Sequence, residues 1–246
     1  MRFIRISLFL CAVVICAADC LAQGAPGQDK WSEKFNSSGA KLTYKQTGRE
    51  FAGGRTVLTY NLFATGLPRD QKYVLWTWGI TTGPRAIADA YLNGDGKVVN
   101  VRADREAHVN EDPIDLRISG AKGEPVRFAL VSADGTLHAF TRIIPFPMEK
   151  DSGACHLSVI ELAPNYAGVQ MVVTGLQPEE AVKIAERSGD EGGSAKGVAD
   201  AEGVYNAAVF PVLKGKQSGK ARFELDGQSC KIAIDFSWGE GTQNAQ

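Results

Sequence analysis

From Lys41 onward the chain is written in short runs that alternate apolar and polar residues, four to ten at a time: KLTYK, RTVLTYNLFA, KYVLWTW, HLSVIEL and KIAIDFSW. Alternation with period two puts every second side chain on one face of an extended strand. Gly, Pro, Asn and Asp punctuate the runs, and these residues supply turn conformations. No long segment has the i, i+3, i+4 apolar spacing of an amphipathic helix. AEGVYNAAVF at 201–210 comes nearest, and its glycine and closing Phe-Pro suit a strand better. The pattern predicts an all-β protein.

The runs also recur. YNLFATGLPRDQKYVL at 60–75 and VQMVVTGLQPEEAVKI at 169–184 both pass from an alternating strand through T-G-L into a second alternating strand, so that Thr65, Gly66 and Leu67 match Thr174, Gly175 and Leu176. Downstream, VRFAL at 126–130 resembles ARFEL at 221–225, and each is followed by an Asp-Gly turn and a last alternating run. A repeat of this kind predicts two tandem antiparallel β-sandwich domains, 39–147 and 152–240. Pro145 and Pro147 end the first, a linker at 148–151 joins them, and the polar stretches 23–38 and 241–246 read as flexible, with Trp31 the anchor of the former.

Strand rhythm and T-G-L turns over nearly all of this length resemble the tandem immunoglobulin-like and fibronectin-III-like β-sandwich domains of exported bacterial proteins. The resemblance implies a sandwich fold and carries no function with it, because such sandwiches serve many roles. It also has a departure: Cys155 lies in the first strand of its domain and Cys230 in the last, where antibody-type domains join two interior strands.

The N-terminus sets the compartment. Arg2 and Arg5 precede the apolar run ISLFLCAVVICAA at 6–18, and small residues lead to Ala22, which reads as a secretory signal peptide covering 1–22. The run is too short to span a bilayer, which needs roughly 20 apolar residues. Asp19 before Cys20 argues against a lipidated cysteine. Cleavage removes Cys11, Cys16 and Cys20 and leaves Cys155 and Cys230 as a predicted disulfide in a periplasmic or secreted protein. The mature chain then carries 25 basic and 27 acidic residues, a net charge of −2. That balance offers no electrostatic reason to expect nucleic acid or an anionic membrane as partner.

Candidate chemistry is sparse. YLNGDGK at 91–97 has the Asn, Asp and Gly of a calcium loop, but Tyr91 and Arg102 stand where the first and last ligands belong. Its counterpart in the repeat, VADAEGVYN, has no calcium pattern, so both read as hairpin turns. His108, His138 and His156 lie in no metal-ligand or triad spacing, and no nucleophile elbow, phosphate loop or dinucleotide fingerprint is present. No cofactor is expected. The insertion RADREAHVNEDP places Glu106, His108, Glu111 and Asp112 in one loop, read as solvated charge in preference to a cation site.

One surface stands out. In VLWTWG, Tyr73 and Leu75 match the core-like Val182 and Ile184, which turns Val74, Trp76 and Trp78 to the outer face. An exposed tryptophan pair would suit a sugar ring or a partner protein; the competing reading has one or both covered by core, loop or the other domain. The sequence therefore points to an exported, non-enzymatic module that binds a protein or glycan, with a structural or spacer subunit of a cell-envelope assembly as the alternative.

Overall fold

The computed structural model describes residues 35–100 and 112–242. The signal segment, Trp31, Glu106, His108 and Glu111 lie outside the described residues. The described chain is all-β, built as four antiparallel sheets that pack in two pairs. In the first pair, β1 (Lys41–Ala52), β2 (Arg55–Thr65) and β6 (Leu116–Ile118) form a three-stranded sheet. It faces a five-stranded sheet of order β5-β4-β3-β7-β8, with β3 at Tyr73–Trp78, β4 at Arg85–Leu92, β5 at Val98–Asn100, β7 at Val126–Ser132 and β8 at His138–Ile143. In the second pair, β14 (Tyr205–Val209), β11 (Gly168–Thr174), β10 (Cys155–Ala163) and β9 (Met148–Ser152) form one sheet in that order. The other sheet runs β13 (Glu191–Val198), β12 (Ala181–Ser188), β15 (Ser218–Asp226), β16 (Lys231–Gly239).

The alternation in the sequence is the reason for these layers. Leu58, Tyr60, Leu62 and Ala64 of β2 pack against Tyr73, Leu75, Phe128, Leu130 and Ile143 of the facing sheet in one buried cluster. Leu157, Val159, Met171 and Val173 pack likewise against Phe223, Leu225, Ile232, Ile234 and Trp238 in a second. Each fully buried side chain of this size contributes roughly 1.5–3 kcal/mol relative to exposure, so the inner faces dominate stability. Trp238 donates its indole N–H to Ser188 Oγ at 2.9 Å, and Ser188 passes a 2.6 Å bond to the Pro211 carbonyl, which satisfies the polar edge of the largest buried ring.

Both pairs are wired alike. A hairpin (β1–β2, β10–β11) leads through T-G-L into the opposite sheet (β3, β12), and the next strand forms a hairpin there (β4, β13). The chain then returns beside the first hairpin (β6, β14) and closes with β7–β8 or β15–β16. In the two T-G-L turns, Gly66 and Gly175 press against the backbone carbonyls of Gly39 and Ala154, just before β1 and β10, where no side chain would fit. Leu67 and Leu176 are buried beside them.

The NGDGK turn and its partner share one construction. The Asn93 side-chain oxygen accepts the amides of Asp95 and Lys97, and Asp200 Oδ1 accepts those of Glu202 and Val204. Gly96 and Gly203 take the positive φ values, 78° and 72°. The oxygen that a calcium ion would need is thus spent on capping the turn.

Two further features knit the second pair. Cys155 and Cys230 form a disulfide that spans from the start of β10 to the turn before β16, across a sequence separation of 75. Glu180, in the loop after the second T-G-L turn, accepts the amides of Gln177 and Ser229 at 2.9 and 2.8 Å, together with the Ser229 hydroxyl. The Ser229 bonds hold its carboxyl down to about 2.

Residues 148–151, read from the sequence as a linker, lie within strand β9, which pairs with β10 from Met148↔Val159 to Ser152↔Cys155. Backbone pairing and the half-buried Met148 hold it there, although its other side chains are polar. Nearby, the segment before β7 crosses onto the second pair of sheets. Ala121 joins the second core, the Tyr166 hydroxyl donates to the Lys122 carbonyl at 2.6 Å, and Glu161 N–H donates to Gly123 O at 2.9 Å. Glu161 is 1% exposed; one carboxyl oxygen accepts the Tyr166 amide and the other has no hydrogen-bond partner among the described residues. Burial, with Glu124 nearby, pushes its carboxyl above the usual range.

Reducing the disulfide releases a long loop in the unfolded chain and is expected to cost about 2–4 kcal/mol. Hydrogen exchange under reductant should show β10, β11, β15 and β16 losing protection before β3 and β7; equal loss in both would contradict it. Glu180 gives a second expectation. Its carboxyl is depressed in the fold, so its stabilisation is complete above about pH 4.5 and disappears as pH falls towards 2. The Tm gap between wild type and Glu180→Gln should therefore be wide at pH 6 and closed at pH 2, measured by thermal denaturation across that range.

Candidate functional site

The outer face of the five-stranded sheet is where the sequence placed Val74, Trp76 and Trp78, and all three project from it. Register across β3, β7 and β8 sets them in three rows: Val74, Val131 and His138; Trp76, Ala129 and Phe140; Trp78, Arg127 and Arg142. The middle of this grid is apolar. Trp78, Ala129 and Phe140 form a cluster with Trp76 and Val131 packed against it. Trp78 meets the Phe140 ring edge-on at 6.4 Å and 82°, and His138 lies 5.4 Å from Phe140 at a tilt of 57°. Edge-on pairs set the positive rim of one ring against the negative face of another.

The face presents no pair of exposed tryptophans. Trp78 is 3% exposed, whereas Trp76 is half-buried. The neighbours on the same face are the reason, since Ala129 and Phe140 give the rings apolar surface to lie on. The corresponding face of the second copy carries Lys183, Ala185 and Arg187 and gave no hint of this packing.

β8 is held along its outer edge by residues that the sequence assigned to a flexible segment. Asn36 Oδ1 accepts the Phe140 amide at 2.7 Å, Ser37 N–H donates to the His138 carbonyl at 2.9 Å, and the His138 amide donates to Ser37 Oγ at 2.9 Å. From there a shallow cleft opens between β8 and β1, lined by Asn36, Lys41, Tyr44, Phe140 and Arg142.

Two guanidinium groups border the aromatic floor. Arg127 and Arg142 stand directly opposite each other, an arrangement that costs energy for like charges. Burial and the neighbouring Arg142 pull Arg127 below its ordinary range, though a guanidinium remains cationic there. Neither makes an ion pair among the described residues. Aromatic faces beside uncompensated forked cations can stack on a sugar ring or an apolar side chain while accepting a carboxylate in two hydrogen bonds.

A second cluster went unseen in the sequence. His156 Nδ1 lies 2.7 Å from Asp151 Oδ1 and its Nε2 lies 3.1 Å from Ser158 Oγ, with Glu149 at 3.6 Å. The β9–β10 hairpin brings them together by pairing His156 with Asp151 and Ser158 with Glu149. The distances match a Ser-His-Asp relay, but the surroundings do not suit that chemistry. β10 is an interior strand whose amides serve the ladders to β9 and β11, so Ser158 has no free backbone donors beside it to stabilise an oxyanion. Asp151 and Glu149 also raise the His156 pKa, which works against a general base. The cluster is a cross-strand ion network on an exposed face. In the insertion at 102–113, Asp112 is described, and its carbonyl accepts the Asn100 amide at 3.2 Å.

No family model matches the chain, and no curated protein matches it. Solved structures that align with most of it include a tetra-tandem repeat from the extending region of a large adhesion protein, at 9% identity and TM-score 0.26, covering 82% of this chain and 50% of that one. Another is a cytokine receptor complex, at 10% identity and TM-score 0.23, covering 80% and 96%. A third is the receptor tyrosine kinase Torso, at 7% identity and TM-score 0.22, covering 83% and 75%. The chain spans half the length of the adhesion-protein repeat. Likenesses this weak assign neither family nor function. Among the described residues no helix is long and apolar enough to cross a membrane.

For His156 the sign of the shift is testable. Its pKa is raised by the Asp151 hydrogen bond, so its stabilising contact is complete below about pH 6.5 and fades as pH climbs through the folded value. An NMR titration should place its midpoint above that of a free histidine, and Asp151→Asn should bring it down. A midpoint unmoved by the substitution would refute the assignment.

Proposed function

We propose that the chain is an exported, non-enzymatic binding module of two tandem sandwich domains, which recognises a protein or a glycan. The outer face of the five-stranded sheet is its binding surface. The observation that carries this reading is the pairing of an aromatic floor, from Trp76, Trp78 and Phe140, with the opposed cations Arg127 and Arg142 that find no acidic partner in the described chain. Opposed cations on a sheet face lower stability unless something else compensates, and an anionic group on a ligand would do so. Export is supported by the signal-like N-terminus and by the disulfide, which persists in oxidising compartments. The contacts of Ala121, Lys122 and Gly123 with the second pair of sheets favour the alternative, a rigid spacer in a cell-envelope assembly, since they stiffen the chain between its two halves.

A panel of neutral and uronate-containing oligosaccharides and of neutral and acidic peptides separates the two. Binding by the module is expected to be strongest for the acidic members. Arg142→Glu should weaken it about 10-fold or more, equivalent to about 1.4 kcal/mol, with little change in Tm, because the side chain is exposed. Trp76→Ala should also weaken binding. Absence of binding by the wild type to every member, or a loss of fold in Arg142→Glu, would turn the assignment towards the spacer. A broad hydrolase screen of the wild type is expected to be negative.

A further inference from the structure

A different surface lies at the far edge of the second pair of sheets. Strand β13, EGGSAKGV, pairs with β12 on one side and is the last strand of its sheet, so among the described residues its other edge has no strand beside it. Sheet edges are commonly blunted by brevity, bulges, proline or an overlying segment. The other edges here show such devices. β5 and β6 have three residues each and β9 and β14 five, β1 is bulged between Gln46 and Gly48, β8 is capped by Asn36 and Ser37, and β16 lies against β9, with Ser152 Oγ bonded to Lys231 O. β13 runs eight residues in unbroken register with β12, contains no proline, and has no buried residue.

Its two faces are chemically distinct. Towards the core side stand Gly193, Ala195 and Gly197, opposite Glu186, Ile184 and Val182. Beside Gly192 and Gly193 lies a hollow of about 260 Å³ at the sandwich edge, floored by Phe210, Val212 and Leu213, while the Tyr205 ring covers Gly197. Phe210 is 71% exposed and Val212 49%. Towards the outer face Lys196 lies directly opposite Lys183, and Arg187 lies opposite Arg222 one row beyond the next. Arg222 is neutralised by Asp235, whereas Lys183, Lys196 and Arg187 make no ion pair among the described residues, although Asp226 of β15 stands opposite Lys183 on its other side. Like charges facing each other across a ladder are unfavourable.

We infer that β13 accepts an added strand from a partner protein, an extended segment carrying Asp or Glu on alternate residues and apolar side chains between them. Backbone pairing would supply much of the affinity, and side chains at alternate positions would supply the selectivity. The acidic side chains would fall in line with Lys196 and Lys183 on the outer face. The apolar ones would fall on the core side, where one enters the hollow over Phe210 and Val212. Glu186 and Glu191 border that hollow and disfavour an acid there, so the guest must alternate. In a two-residue hairpin the closing pair, here Ser188 and Glu191, is hydrogen-bonded, which turns the amides of Gly192, Ser194, Lys196 and Val198 outward.

The test uses a capped octapeptide alternating Glu and Val, with a Lys/Val peptide as control, titrated into isotope-labelled protein. The Glu/Val peptide is expected to shift and protect the amides of Gly192, Ser194, Lys196 and Val198 and to bind at least about 10-fold tighter than the control. Ser194→Pro, which an edge strand tolerates, should abolish binding with the Tm little changed. The double variant Lys183→Glu, Lys196→Glu should reverse the preference. Equal affinity for the two peptides, shifts confined to other strands, or dimerisation of the protein through β13 without peptide would each overturn the inference. None of these outcomes depends on the aromatic face of the first pair of sheets.

Discussion

The structure depends on a single constraint: a sheet whose strands alternate must bury its apolar face against another sheet. Leu62, Tyr73, Leu75 and Leu130 on one side of the molecule, and Leu157, Met171, Phe223 and Trp238 on the other, are almost inaccessible because two sheets close on them. Everything else is arranged around that closure. The T-G-L turns carry the chain from one sheet to its partner, and the glycine in each passes so near a neighbouring carbonyl that a side chain would prevent the crossing. The disulfide and the Glu180 bonds then fasten loops at the rim of the second core.

Once the inner faces are committed, function is left to outer faces, edges and loops. This explains why features that resemble chemical sites turn out to be structural. Asn93 spends its oxygen on two backbone amides, as Asp200 does in the second turn, and His156 spends both ring nitrogens on cross-strand partners. A group that already satisfies its neighbours has little left to offer a substrate. Two surfaces set like charges face to face: Arg127 and Arg142 on one sheet, Lys183 and Lys196 on another.

Much of the architecture was legible because alternation, turn residues and the T-G-L repeat are local signals. Strand, face and crossing follow from them, and the Cys155–Cys230 disulfide was expected as well. What stayed hidden depends on pairings distant in sequence or carried by the backbone. β9 has a polar sequence, MEKDS, and is a strand because β10 offers it a ladder. Trp78 alternates outward as expected, yet Phe140, 62 residues later, brings a ring against it. The unpaired oxygen of Glu161 is buried because residues 121–123 of a distant loop pack over its strand, which no pattern around Glu161 announces.

The two cationic pairs separate the costs of folding from those of function. An exposed cation beside a carboxylate adds little to stability, and the lattice on β15 and β16, with Arg222, Glu224, Lys231 and Asp235, is of that neutralised kind. Opposed lysines at the open edge of β12 and β13, and opposed arginines beside an aromatic floor, are unfavourable in the isolated chain. Neither pair is required by the fold, since their side chains point away from both cores. A surface that keeps such a mismatch is strained electrostatically and not geometrically, and the strain is relieved by any partner bringing negative charge at the right spacing. On the aromatic face that spacing is set by two guanidinium groups over rings. On β13 it is set by the two-residue period of a strand, so the two proposed partners would differ in shape while sharing a sign.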